Sequence, residues 1–486
     1  MFLKCFFEKA LLDASSVKCL MTFWEIAASK PAIIAYVIIL LGLITTIVSF
    51  VLHSESKNSA QTQLTIVGGA VPAAAPAKNG TAKKGQAAPV ADVASAPVLP
   101  IAAMPVAAPV ASTSPAGGEE DEDGEDGRRR FCMLSRIDDN KAKYREKTFD
   151  KGITLKRFCD DFRNYASYKH NLYYDIKDIR RFIAGMAVSQ IIILQGMSGT
   201  GKTSLAHAMG SFIENPSTVI PVQPMWKERT DLLGYYNEFT KRFNETLLLE
   251  KMYQANYSED IYVTVLDEMN IARVEYYFAE FLSLLELPDP NERYIDVVSD
   301  VWDTDPLQLK DGRLKLPYNM WFIGTANNDD STFAISDKVY DRAMILNLDE
   351  KCEPFTAPKT KNIHITAENF RALVKEALSE YEITERNLKR LETLDKYLIE
   401  HFHITFGNRI MKQIRQYIPV YVSCGGSELE ALDDILSKKI IRKLETQNPV
   451  YLRSAAEDLC IFINELFGED RMPLCQSAIR RLLQNA

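Results

Sequence analysis

The chain has 486 residues, 47% hydrophobic and 25% charged, values that exclude a collagen-like, mostly disordered or multi-span membrane protein. At roughly 150 residues per domain it holds about three folding units. Its net charge of −8 and pI of about 5.5 lack the basic excess of a general nucleic-acid binder, and its eight cysteines form no CxxC pair or metal spacing, as expected of thiols in a reducing compartment.

Residues 1–30 read as a membrane-proximal segment with amphipathic stretches such as FLKCFFEKALL. Pro31 to Leu52 is 22 residues without a charge. At about 1.5 Å per residue it reaches roughly 33 Å, enough for a bilayer core of about 30 Å. A single transmembrane helix is therefore predicted over 31–52. A cleaved signal peptide would have a shorter apolar region and fewer residues ahead of it. From 53 to 130 the composition changes: no Phe, Trp or Tyr occurs, and eight of the 21 prolines fall between Pro72 and Pro115. Such a stretch cannot build a core and reads as a disordered Ala/Pro-rich linker. It closes on an acidic run, Glu119 to Asp126, and on Arg128, Arg129 and Arg130. Both charge runs read as a solvated boundary, with partner or anionic-lipid binding by the arginines as the alternative.

Aromatics return at Phe131. Residues 131–175 form a leading helical segment, with tyrosines among charged residues, that either packs on the neighbouring domain or reads a partner. A nucleotide-binding α/β domain is expected over 176–350. Its first strong signal is the buried-strand run Ile191 to Leu194, then Gly196-Met197-Ser198-Gly199-Thr200-Gly201-Lys202-Thr203-Ser204, then a helical pattern. Glycines let backbone N–H groups close on phosphate oxygens, and the helix N-terminus adds its partial positive charge. Lys202 would reach the β/γ-phosphates, and Thr203 would ligate Mg²⁺. A second strand, Ile261 to Leu266, ends in Asp267-Glu268. Asp267 would hold the Mg²⁺ shell and Glu268 would polarise the attacking water. A third strand, Met320 to Thr325, leads to Asn327, which either orients that water or belongs to an ordinary turn.

Between these strands, Glu275 to Leu287 reads as one apolar-faced helix and Asp311-Gly312 as a hairpin turn. A short helix from Ser336 to Tyr340 should precede a strand from Ala343 to Leu348. Five helices are expected from Ala367 to Phe467, so 351–486 reads as a helical lid with C-terminal helices.

Strand, phosphate loop, helix, acidic strand and polar strand at this spacing resemble an AAA+ ATPase. The wording of Val222–Tyr236 (VQPMWKERTDLLGYY), Leu266–Phe278 (LDEMNIARVEYYF), Phe322–Asn327 (FIGTAN) and Lys338–Ala343 (KVYDRA) is similar to the McrB-type, MoxR and dynein-related branch. The resemblance covers roughly 175–450. It implies a P-loop fold with a parallel sheet and an α-helical lid. It makes Asn327 the sensor 1 residue, Arg342 the arginine finger for a neighbouring subunit, and Arg409 the sensor 2 residue of the lid. The alternatives are a salt bridge of Arg342 with Asp341 or Asp337, and a solvated helix position for Arg409. It also implies pore-facing elements over 287–315 and a pore or seam role for Trp226 to Tyr236, with plain packing as the alternative for Trp226. Restriction GTPases of this type carry Asn-x-x-Asp-Arg-Ser after the sensor strand. Here Asn327-Asn328-Asp329-Asp330-Ser331 lacks the arginine, so ATP with Mg²⁺ is expected and GTP is the second choice.

The resulting expectation is a single-pass membrane-tethered ATPase with its AAA+ domain in the cytosol. It forms a homo-oligomeric ring, expected to be hexameric, and remodels or translocates a protein partner. Lys4, Lys9, Lys18 and Lys30 precede the span and only Lys57 lies closely after it, so the positive-inside rule argues for the reverse orientation. The nucleotide requirement decides for the cytosol. The alternatives are a nucleotide-gated assembly switch at the membrane and a McrB-like DNA-translocating subunit of a restriction system, so nucleic acid stays open as a partner.

Overall fold

The computed structural model describes residues 129–144, 150, 152–327, 332–349 and 351–485. The 1–30 segment, the 31–52 span and residues 53–128 of the 53–130 linker lie outside these residues. Among the described residues no helix is long and apolar enough to cross a membrane.

The described part begins with α1 (Met133–Asp139), α2 (Leu155–His170) and α3 (Ile176–Val188). Thr154 and Asp175 cap the last two by accepting backbone N–H bonds. The leading segment therefore packs on the module: Phe158 and Phe162 are buried against Phe212, and Phe162 also meets Phe182, in one core with the central sheet. Next come β1 (Ile191–Gln195), α4 (Lys202–Phe212) and β2 (Thr218–Pro221). An insertion comes after β2, with α5 (Arg229–Leu233), the antiparallel pair β3 (Gly234–Asn237) and β4 (Arg242–Glu245), and α6 (Leu247–Ala255). Beyond it lie β5 (Tyr262–Asp267), α7 (Val274–Tyr277) and α8 (Ala279–Leu284). The single helix expected from Glu275 is broken at Phe278, whose φ of −107° and ψ of 5° leave the helical region. A second insertion contains β6 (Tyr294–Asp296), β7 (Leu309–Lys310) and β8 (Arg313–Lys315). Asp311 and Gly312, at φ 51° and 73°, form the expected hairpin turn.

The module closes with β9 (Met320–Ala326), α9 (Asp337–Tyr340) and β10 (Met344–Asn347). Five strands form one parallel sheet in the order β10-β1-β9-β5-β2. In β1, Ile192 and Leu194 enter the core on one face, and Ile191 and Ile193 enter the core on the other. Burial on both sides is why the run is continuously apolar. From β1 the chain crosses to the far edge at β2 and returns through β5 and β9, while β10 lies on the opposite side of β1. The carboxyl end of β1 is thus the switch point at which such sheets bind ligands.

The remainder is helical: α10 (Ala367–Glu380), α11 (Glu385–Phe402), α12 (Gly407–Ser423), α13 (Glu428–Lys439), α14 (Pro449–Phe467) and α15 (Pro473–Asn485). The last was not foreseen. Five of its thirteen residues are Gln, Asn or Arg, which masks its apolar side.

Arg129 and Arg130, expected in the solvated boundary, belong to the fold. Arg130 is 3% exposed and makes two bonds to Asp305, at 2.7 and 2.6 Å. Its guanidinium lies 4.6 Å from the Trp302 ring, and its carbonyl accepts from Phe243 N at 2.8 Å. Removing one partner of a buried pair strands the other charge. Arg130→Met should therefore cost about 3–5 kcal/mol in urea unfolding, and Arg130→Met with Asp305→Leu should recover at least half of that.

Candidate functional site

The phosphate loop leaves β1 at Gly196, where φ is 147° and a Cβ would stand 2.4 Å from the Leu348 carbonyl oxygen. Gly201, at φ 87°, is the left-handed residue from which α4 starts. Lys202 is buried, and its ammonium donates to the Gly196 and Met197 carbonyls at 3.0 and 2.9 Å. Met197, Ser198 and Gly199 are exposed at the loop's rim; Thr200 turns back, donating to Met197 O at 3.0 Å, and Ser204 is half-buried in the first turn of α4.

Three elements meet at one carboxylate oxygen. Asp267, at the end of β5, accepts from Thr203 Oγ1 of α4 at 2.7 Å and from Thr325 Oγ1 of β9 at 2.8 Å. Thr325 Oγ1 in turn accepts from Glu268 N at 2.8 Å. That bond fixes Glu268 in the left-handed region at φ 52°, with its side chain exposed. A non-glycine residue held there stores about 1–3 kcal/mol, and the gain is a carboxylate aimed away from the strand. Asn327 directly succeeds β9, and its carbonyl accepts from Asn270 Nδ2 at 2.9 Å and Thr332 Oγ1 at 3.1 Å. Positions 328–331 lie outside the described residues.

Beside the loop opens a cleft of about 1040 Å³. Its walls come from Asn171 to Asp175, from Gly199 to Gly201, and from helices α13 and α15. Tyr174, whose role the sequence left open, donates to the Gly201 carbonyl at 2.9 Å, and burial pushes its phenol up. The far wall is a buried charge network. Asp434 accepts from Tyr417 Oη at 2.6 Å and pairs with Arg181 at 2.9 Å and with Lys438; Arg181 also pairs with Asp178 at 2.8 Å. Hydroxyl and carboxylate oxygens at Thr203 and Asp267 are hard donors suited to Mg²⁺, and the glycine cradle beside a buried ammonium suits a triphosphate. The residues fit both groups.

Arg342 and Arg409 stand elsewhere. Arg342 lies between α9 and β10, and Met344 pairs with Ile192 near the amino end of β1. The phosphate loop leaves the other end, roughly 15 Å away along the strand. Arg342 pairs with Glu286 at 2.8 Å and donates to Lys338 O at 2.8 Å, not to Asp341 or Asp337. Arg409, near the start of α12, pairs with the other oxygen of Glu286. One carboxylate thus gathers the two arginines. They line a second cavity, of about 630 Å³, with Arg293, Arg371 and Lys412. Trp226 packs edge-on against Tyr277 at 5.6 Å. Phe239, at the β3–β4 tip, is 99% exposed; an isolated aromatic in a polar turn gave no warning of it.

The segment around Arg342 is held by Lys439, whose ammonium donates to Tyr340 O at 2.6 Å and to Ala343 O. Burial pulls its pKa down to about 7, against the partial compensation of Asp341. The folded value lies below the unfolded one. Between about pH 7 and pH 10 the unfolded chain therefore holds the extra proton, and stability from this group rises with pH by up to about 1.4 kcal/mol per unit. Urea unfolding at roughly pH 7 and pH 9 should show that gain in the native chain and lose this share of it in Lys439→Met.

Residues 191–343 match a family described as AAA domain (dynein-related subfamily), and residues 359–486 match one described as domain of unknown function (DUF8727). A curated Lon protease of Methanosphaera stadtmanae is 28% identical over 233 residues, 48% of this chain and 25% of its own length. The chain therefore spans about a quarter of that relative. Two solved structures are also similar. One is a candidate ATPase from Cytophaga hutchinsonii, with 13% identity, 62% and 88% coverage of this chain and that one, and a TM-score of 0.39. The other is a full-length MCM homolog from Methanopyrus kandleri, with 11% identity, 60% and 63% coverage, and a TM-score of 0.34. Scores this low carry no functional inference.

Proposed function

We propose, from the premise that residues 191–343 are an AAA domain of the dynein-related subfamily, that this chain hydrolyses ATP at the interfaces of a ring of its own copies. The carrying observation is the separation of Lys202 from Arg342: they leave opposite ends of the sheet. A subunit then supplies the phosphate loop for one site and the arginines for the next.

Bound Mg²⁺ would neutralise charge on the β- and γ-phosphates. Thr203 and Asp267 would hold it. Lys202 exchanges the Gly196 and Met197 carbonyls for phosphate oxygens. Glu268 takes a proton from the attacking water, and Asn327 orients that water. Arg342 and Arg409 of the adjoining copy leave Glu286 for the γ-phosphate, where guanidinium groups stabilise the spreading charge. Catalysis is positioning and preorganised charge. The work is remodelling of a protein partner, for which the exposed Phe239 hairpin offers a grip. The apolar stretch 31–52 tethers the ring to a membrane, with this domain in the cytosol and six copies per ring.

The test is ATP hydrolysis with Mg²⁺ across protein concentrations. Specific activity should rise with concentration as sites are completed in trans. Arg342→Ala should lose about 10³-fold or more of kcat, in line with other arginine fingers. Glu268→Gln should bind ATP but not turn it over. A wild type no faster than Glu268→Gln would remove the enzyme reading and leave a nucleotide-gated assembly switch.

A further inference from the structure

The seven residues Asp337 to Ala343 have a difficulty of their own. Helix α9 is one turn long, too short to be stable by itself. The amides that follow it meet Asp337 O and Val339 O, which leaves Tyr340 O, the last carbonyl, for a side chain. Yet Arg342, at its exit, must point in one direction to serve a neighbour.

Ser189 Oγ donates to Arg342 O at 2.9 Å and Glu286 pairs with Arg342, but the side chains that reach the carbonyls and carboxylates of Asp337 to Asp341, and the Ala343 carbonyl, come largely from the C-terminal domain. Lys439 donates to Tyr340 O and Ala343 O, the carbonyls on either side of Arg342. Gln413 Nε2 donates to Asp341 O at 3.0 Å. Arg442 pairs with Asp337 at 2.6 Å and lies 4.0 Å from the Tyr340 ring, and Lys443 pairs with Asp341 at 3.4 Å. Lys439 is 2% exposed, and among the described residues it has no ion-pair partner within 4.0 Å. Burying an ammonium is costly, and a Leu or Met would pack there at no such cost. What the amino group adds is donors for two carbonyls at the end of a helix, and its neutral form still carries two N–H bonds to give.

We propose that Lys439 is a positioning residue for Arg342, and that presenting this arginine to the neighbouring subunit is a function of the C-terminal domain. The inference rests on the ring reading above. It predicts an unusual phenotype: a lesion in the C-terminal domain that spares the subunit's own nucleotide site and damages the next one.

Mixed rings of the full chain test it. Glu268→Gln and Arg342→Ala, each inactive alone, should recover about a quarter of the wild-type rate when mixed equally, because random mixing completes that share of interfaces. If that control stays inactive, the ring reading itself falls. With the control working, Lys439→Met should lose about tenfold or more of kcat at unchanged KM for ATP. Mixing with Glu268→Gln should rescue it, and mixing with Arg342→Ala should not. Full activity of Lys439→Met overturns the proposal, as does rescue by Arg342→Ala. So does failure of both mixtures when Lys439→Met still binds ATP. If Lys439→Met does not fold, Gln413→Met, which removes a neutral donor from the same segment, must show the same rescue pattern or the proposal is wrong.

Discussion

Parallel strands impose a direction on chemistry. Every connection out of β1, β5 and β9 emerges at the carboxyl edge, and that edge collects Lys202, Thr203, Asp267, Glu268 and Asn327. Arg342 precedes its strand and so must lie at the amino edge. No rotamer can carry a guanidinium across a buried strand of five residues. The separation of Arg342 from the phosphate loop thus results from strand direction. Glu286 fits this arrangement: its carboxylate pairs with the partly buried Arg342 and with the more exposed Arg409 in a single copy.

The same edge logic explains how the helical domain is joined to the sheet. Buried ions are weak contributors to net stability, but they tolerate few alternative arrangements, because each unpaired charge is expensive. Asp434 illustrates this: Tyr417, Lys438 and Arg181 converge on it at 1% exposure. Arg181 belongs to α3 and Asp434 to α13, so the network fixes one wall of the nucleotide cleft to another. One residue beyond Lys438, Lys439 faces the opposite way, toward Tyr340 and Ala343. Two adjacent lysines on one helix thus bind the cleft wall and the arginine-bearing segment into one body.

What was legible in the amino-acid order is what local chemistry demands contiguously. A loop that wraps phosphate must place its glycines, lysine and hydroxyl in sequence, so Gly196 to Thr203 could be read without a fold. Asp267, Glu268 and Asn327 could be read because strand ends dictate where polar groups emerge. The Asp311-Gly312 turn was legible for the same local reason. Four-residue β2 ends in a proline at the sheet edge, and β3 and β4 alternate too weakly to stand out. The break at Phe278 is a tertiary effect, since Phe278 stacks on Phe281 at 4.8 Å and meets Phe322 edge-on at 5.2 Å. Partner choice was the least legible. Asp337 and Asp341 are nearer to Arg342 in sequence than Glu286, but Arg442 and Lys443 take them from the far side.

Arg130 shows how one residue can reverse a compositional reading. By sequence it ends a charge run; in the fold it is an anchor between Asp305 and the Trp302 ring. The backbone there joins β4 through Phe243, and Phe131 stacks on the Phe243 ring at 4.8 Å. The backbone at Arg130 is therefore joined to both insertions. If Arg130 were merely solvated, tension on the preceding chain would first peel α1 away from Tyr253 and Tyr257, which bond Asp138. With Arg130 clamped, that tension meets a buried bidentate ion pair before it reaches α1.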